Sequence, residues 1–99
     1  MMPAEGVVKL MEELNELGVV CAKRLAYWTT DDHPDGSNLK VRMEEEMGDV
    51  YASLQFVTEN LGLDRAAIEL RGQGKYTLFV EWEADPGNGQ EAYDRPKDS

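Results

Sequence analysis

A single cysteine, Cys21, is all the thiol chemistry in this 99-residue sequence. No internal disulfide can staple the chain. Cys21 falls in a stripe of apolar residues and reads as a small buried hydrophobe, and a lone thiol fits a reducing compartment. No apolar run approaches the ~20 residues that a membrane span needs. The opening Met1-Met2-Pro3-Ala4-Glu5-Gly6 lacks the charged and apolar regions of a signal peptide, so the expected location is the cytoplasm. Bases are scarce: ten Lys and Arg stand against twenty Asp and Glu, for a net charge of −10. With no basic stripe to neutralise phosphates, nucleic acid is not an expected partner. A small phosphorylated ligand stays open if cations bring the positive charge. The length suits one small domain, and so small a monomer buries only part of its apolar surface, which favours an oligomer.

What is present is helical periodicity. The spacing predicts a first helix from about Pro3 to Trp28, with Val7, Leu10, Met11, Leu14, Leu17, Gly18, Cys21, Leu25 and Trp28 at three- and four-residue intervals. Residues 29–36 hold Asp31-Asp32-His33-Pro34-Asp35-Gly36, a cluster of turn formers, and Ser37 is the expected N-cap of a second helix. That helix is predicted from about Asn38 to Leu61, with Leu39, Met43, Met47, Val50, Leu54, Val57 and Leu61 as its core stripe. Gly48, in its middle, suits a close helix approach or is simply tolerated. Leu61-Gly62-Leu63-Asp64 reads as a helix stop followed by a new cap, a link short enough to make the second and third helices antiparallel neighbours. Tyr76 to Trp82 has strand propensity, yet no second strand exists to pair with it, so the third helix is carried to about Glu83. The expected organisation is a helical domain over 1–83 and a polar tail over 84–99. The fold class is all-α: an antiparallel helical bundle with about three main helices.

Two carboxylate pairs organise this frame: Glu13 with Glu16, and Glu46 with Asp49. Three residues turn a helix by about 300°, so each pair presents its oxygens side by side, one turn apart. Each pair borders an apolar stripe, and packing the stripes together would gather four acids in one place. Like charges held close repel unless a cation neutralises them. Neither histidine nor cysteine lies near the pairs, which disfavours zinc, and an all-oxygen set suits Mg²⁺. A site of this kind can accept a nucleoside triphosphate, with the metal bridging phosphate oxygens. Glu12 or Glu45 could then orient or deprotonate a water. Lys75, Arg71 and Lys40 are the candidate phosphate contacts, and Trp28, Tyr51 and His33 could line a slot for the base. Set against this, acidic pairs also occur on merely solvated helix faces. His33 has an ordinary place in an aspartate-rich loop, and Trp28 one in a core or interface.

Glu12-Glu13-Leu14-Asn15-Glu16 followed by Glu46-Met47-Gly48-Asp49 resembles the E-E-x-x-E … E-x-x-D signature of the MazG-like, all-α nucleoside triphosphate pyrophosphohydrolases. Glu45-Glu46-Met47-Gly48-Asp49-Val50 is similar to that family's E-E-L-G-D run, and Leu61-Gly62-Leu63-Asp64 to its turn into a third helix. The resemblance covers roughly residues 9–80. It implies a bundle completed by oligomerisation, as a homodimer or homotetramer. It also implies Mg²⁺-dependent cleavage between the α and β phosphates, with Mn²⁺ as a possible substitute. The metal ligands it implies are Glu13, Glu16, Glu46 and Asp49. Two departures stand out. The gap between Glu16 and Glu46 is longer than is usual in the family, with the excess in residues 29–37. The family's basic C-terminal stretch is replaced by Gly72-Gln73-Gly74-Lys75 and an acidic segment. Two other readings share this fold: a non-catalytic bundle that binds a nucleotide or protein, and a phosphoribosyl-ATP pyrophosphohydrolase.

Overall fold

The computed structural model describes residues 4–84. They form three helices: α1 (Ala4–Ala26), α2 (Leu39–Leu61) and α3 (Arg65–Ala84). The fold is all-α, with no strand among the described residues. Pro3 and residues 85–99 of the expected tail lie outside them. Contacts divide the chain at Leu63/Asp64 into a unit holding α1 and α2 and a unit holding α3.

In the first unit, α1 and α2 run antiparallel. A Cβ built on Gly6, at the start of α1, would lie 3.0 Å from Val57 Cα and 3.2 Å from Asn60 Oδ1, near the end of α2. Along the seam the less exposed positions of α1 include Gly6, Leu10, Glu13, Leu17, Val20 and Arg24, and those of α2 include Leu39, Met43, Glu46, Val50, Ser53, Val57 and Asn60; Cys21, Lys23 and Thr58, beside them, are half-buried too. Both sets repeat at four and three residues, the seam of two helices packed side by side. The predicted stripes only partly coincide with this seam. Leu39 and Val57 are buried as expected, and so is Val20, which lay outside the predicted stripe. Val7, Met11, Leu14, Leu25, Met47, Leu54 and Leu61, all expected in the core, are exposed, as is Trp28. Apolar residues ring more of each helix than one partner helix can cover, so periodicity alone did not single out the paired face.

At Gly6 the α2 backbone comes close. Gly48, the glycine singled out from sequence, has open space around it. Replacing Gly6 with valine is expected to destabilise the hairpin by about 1–3 kcal/mol, because the obstacle is the Val57 backbone and cannot rotate away. Urea titration of the variant against wild type measures it; equal midpoints would show that the helices part there freely.

The loop between α1 and α2 is closed on itself. Arg24 Nη1 donates to Asp31 Oδ1 at 2.7 Å and to the Thr30 carbonyl at 3.0 Å. Lys23 Nζ pairs with Asp35 Oδ2 at 3.1 Å. Asp32 and Asn38 form an isolated antiparallel bridge, and the Leu39 amide donates to the Asp31 carbonyl. The N-cap of α2 is Asn38, not Ser37: Asn38 Oδ1 accepts from the Val41 amide at 3.0 Å. Ser37 is taken by Asp35, whose Oδ1 accepts from both its amide and its hydroxyl. Those two bonds, with Lys23, hold the Asp35 carboxyl far below the usual carboxylate range.

At the other end of α2, Gly62 adopts the left-handed conformation with φ 62°. The Leu63 amide reaches back to the Thr58 carbonyl at 2.9 Å, and the Gly62 amide to that of Glu59 at 3.4 Å. This is the Schellman stop. In the second unit, Asp64 Oδ1 caps α3 by accepting from the Ala67 amide at 3.1 Å. The helix continues through Gly72 and Gly74 to Ala84, one residue past the predicted end. The Phe79 and Trp82 rings lie 5.3 Å apart across one turn.

Candidate metal centre

The seam brings the two carboxylate pairs together. Glu13 and Glu46 occupy seam positions on facing helices, and Glu16 and Asp49 follow each of them by three residues. One carboxylate oxygen from each of the four lies within 4.8 Å of all the others. Glu46 is 7 % exposed, the most buried acid described.

Burial of this kind is costly for an anion unless something offsets it. Glu46 Oε1 accepts from Arg42 Nη2 at 3.1 Å, but Glu46 Oε2 and Glu13 Oε2 are buried with no donor. Burial raises the Glu46 carboxyl above its ordinary range. Glu16 adds to the rise, Arg42 opposes it, and Asp49 adds a little more. Glu13 is raised by burial first, then by Glu16, Asp49 and Glu46. Two buried oxygens without donors, facing further carboxylates, form an arrangement that a cation would satisfy.

The donor set fits a divalent ion. Oxygens on opposite sides of Mg²⁺ stand about 4.2 Å apart, and around Ca²⁺ about 4.6–5.2 Å. The span in the cluster falls within reach of either after small side-chain rotations. Glu13, Glu16, Glu46 and Asp49 would be the holding residues.

Beside the cluster runs an open groove of about 410 Å³, lined by Lys9, Glu13, Asp49, Ala52, Ser53 and Phe56. Lys9 lies one turn before Glu13 and is salt-bridged to Glu12 at 3.0 Å. That hydrogen-bonded carboxylate raises the pKa of Lys9, which keeps the ammonium charged. Neither Lys9 nor Arg42 was singled out from sequence. A signal was there: each ligand pair is preceded, four residues earlier, by a base, Lys9 before Glu13 and Arg42 before Glu46.

The other expected site residues lie elsewhere. Glu12 and Glu45 are exposed and outside the cluster. Trp28 is exposed just beyond α1, whose end lies about 15 Å from Glu16 at 1.5 Å per residue. Tyr51 and Lys40 are exposed on α2. His33 sits in the loop, edge-on to Tyr27 with ring centres 4.8 Å apart. Its Nδ1 accepts from the Asp35 amide at 3.1 Å. Arg71 and Lys75 share one face of α3 with Ala67, Leu70, Gly74 and Leu78, where they line a shallow hollow. Among the described residues, no helix is long and apolar enough to cross a membrane. No family model, curated protein or solved structure matches the chain.

Proposed function

We propose that this chain is a MazG-like, Mg²⁺-dependent nucleotide pyrophosphohydrolase of the cytoplasm, cleaving a nucleoside triphosphate to the monophosphate and pyrophosphate. The observation that carries the cation part is the convergence of four carboxylates with two buried oxygens lacking donors. The ordered E-E-x-x-E and E-x-x-D resemblance supplies the reaction class. A divalent cation, when bound, neutralises phosphate charge and makes the α–β bridge easier to break.

The chain's own residues divide the remaining work. Glu13, Glu16, Glu46 and Asp49 hold and centre the cation. Lys9, in the groove wall, faces the negative charge of the phosphates. Phe56 and Ala52 offer apolar surface for the rest of the nucleotide. Glu12, salt-bridged to Lys9 of the groove wall, is one candidate base, and Glu45 is the alternative on α2. The exposed Met11, Leu14, Met47 and Leu54 support an oligomer, since apolar surface on this scale favours a partner.

The test is pyrophosphate release from a panel of ribo- and deoxyribonucleoside triphosphates with Mg²⁺, for wild type and Glu46→Gln in parallel. Release with one or a few nucleotides is expected, abolished by chelator and reduced at least about a hundredfold in the variant. No release by folded wild-type protein from any nucleotide would rule out the enzyme and leave a binding module.

A further inference from the structure

The cluster contains one buried ligand that is held in place from outside, and the holder is Arg42. Glu46 is the deepest of the four acids, and its side chain is only 10 % exposed. Arg42 Nη2 donates to its Oε1 at 3.1 Å. Arg42 lies one turn earlier on the same helix, with its side chain 45 % exposed. With Oε1 fixed from the solvent side, the planarity of the carboxylate sets the direction of Oε2. That oxygen is buried and lacks a donor, and Glu46 is one of the four clustered acids. Glu13 has a similar buried oxygen without a donor, and Lys9, one turn before it, pairs with Glu12.

We infer that Arg42 is a positioning residue for the cation site: it locks Glu46 so that Oε2 is presented to a divalent ion. The inference rests on the cation reading proposed above and goes beyond it by assigning a role to a cationic side chain. That role runs against simple electrostatics. A positive charge beside a cation site weakens binding by repulsion, so removing Arg42 should tighten the site if charge were all that mattered. If Arg42 orients a ligand, removing it should loosen the site. Loss of a residue that supports a metal ligand typically costs about 10–100-fold in affinity. The two effects have opposite signs, so one measurement separates them.

The experiment is a Mn²⁺ titration of the full chain, followed by the resonance of the free ion, for wild type, Arg42→Met and Arg42→Lys. Thermal melts confirm that each is folded; the half-exposed position of Arg42 makes all three expected to fold. Arg42→Met is expected to bind about tenfold more weakly. Arg42→Lys, which can still reach Oε1 from one turn away, is expected to recover most of the loss. Equal or tighter binding by Arg42→Met would overturn the inference while the cation site stands. No Mn²⁺ binding by wild type would remove the site and the inference together.

Discussion

Glu46→Gln is expected to stabilise the metal-free protein and at the same time abolish its response to divalent cations. The wild-type carboxylate is buried, has one donor for two oxygens and faces Glu16 and Asp49. An amide removes the buried charge and brings an N–H that can donate toward a neighbouring carboxylate. It also removes one of the four proposed ligands, so cation affinity should fall by about a hundredfold or more, beyond the cost of losing a support. Melting curves with chelator and with Mg²⁺ read both effects. In chelator the variant should melt a few degrees above wild type. With Mg²⁺ the wild type should rise and the variant should not. A variant that melts lower in chelator would show that the Arg42 pair outweighs the buried charge.

The pH dependence follows from the same charges. Glu13 and Glu46 have folded values raised above the unfolded value of 4.5. The folded state therefore binds protons more tightly than the unfolded chain. The stability this contributes is fully present below the unfolded value and lost as pH rises through the raised folded values. Asp35 behaves oppositely: its stabilisation is present above 3.8 and lost as pH falls through its lowered folded value. In chelator, stability should therefore peak at mildly acid pH and decline toward neutrality. Bound cation should flatten that decline.

Leu39→Ala is the second large effect. Leu39 is fully buried, and the only other buried apolar residues described are Val20 and Val57. Truncating it is expected to cost about 2–5 kcal/mol, a sizeable share of the 5–15 kcal/mol typical of a folded domain. For a chain of this size, that lowers the melting temperature by roughly 10–30 °C. Leu39 also opens α2 and its amide closes the loop onto Asp31, so the loss would reach the register of the helix that carries Glu46. Alanine at a solvent-facing position such as Val41 should change the melt little, and equal melts for the two variants would refute the assigned core.

Much of this architecture was legible because local chemistry fixed it. Gly62 stops α2 and Asp64 starts α3 by hydrogen bonds within a few residues, so the turn could be read from four letters. The convergence of the carboxylate pairs was legible because three-residue spacing fixes a face of a helix. The paired face was not, since apolar residues surround α1 and α2 and only packing selects among them. The cap of α2 was misplaced by one residue because Ser37 and Asn38 are both good caps. What decides is that Asp35, two positions upstream, captures Ser37. Strand propensity over Tyr76 to Trp82 gave way to helix, as a segment with no partner strand must.

The pairing of Asp32 with Asn38, and of the Leu39 amide with the Asp31 carbonyl, has a consequence for chain length. These contacts pinch the loop at its neck, so the residues between hang outside the path from α1 to α2. Lengthening a closed excursion costs only logarithmically in entropy, and none of that cost falls on the distance between Asp31 and Leu39. Insertions or deletions there would leave Glu16 and Glu46 facing each other. A long connector between the two acidic motifs is therefore compatible with an undisturbed cluster.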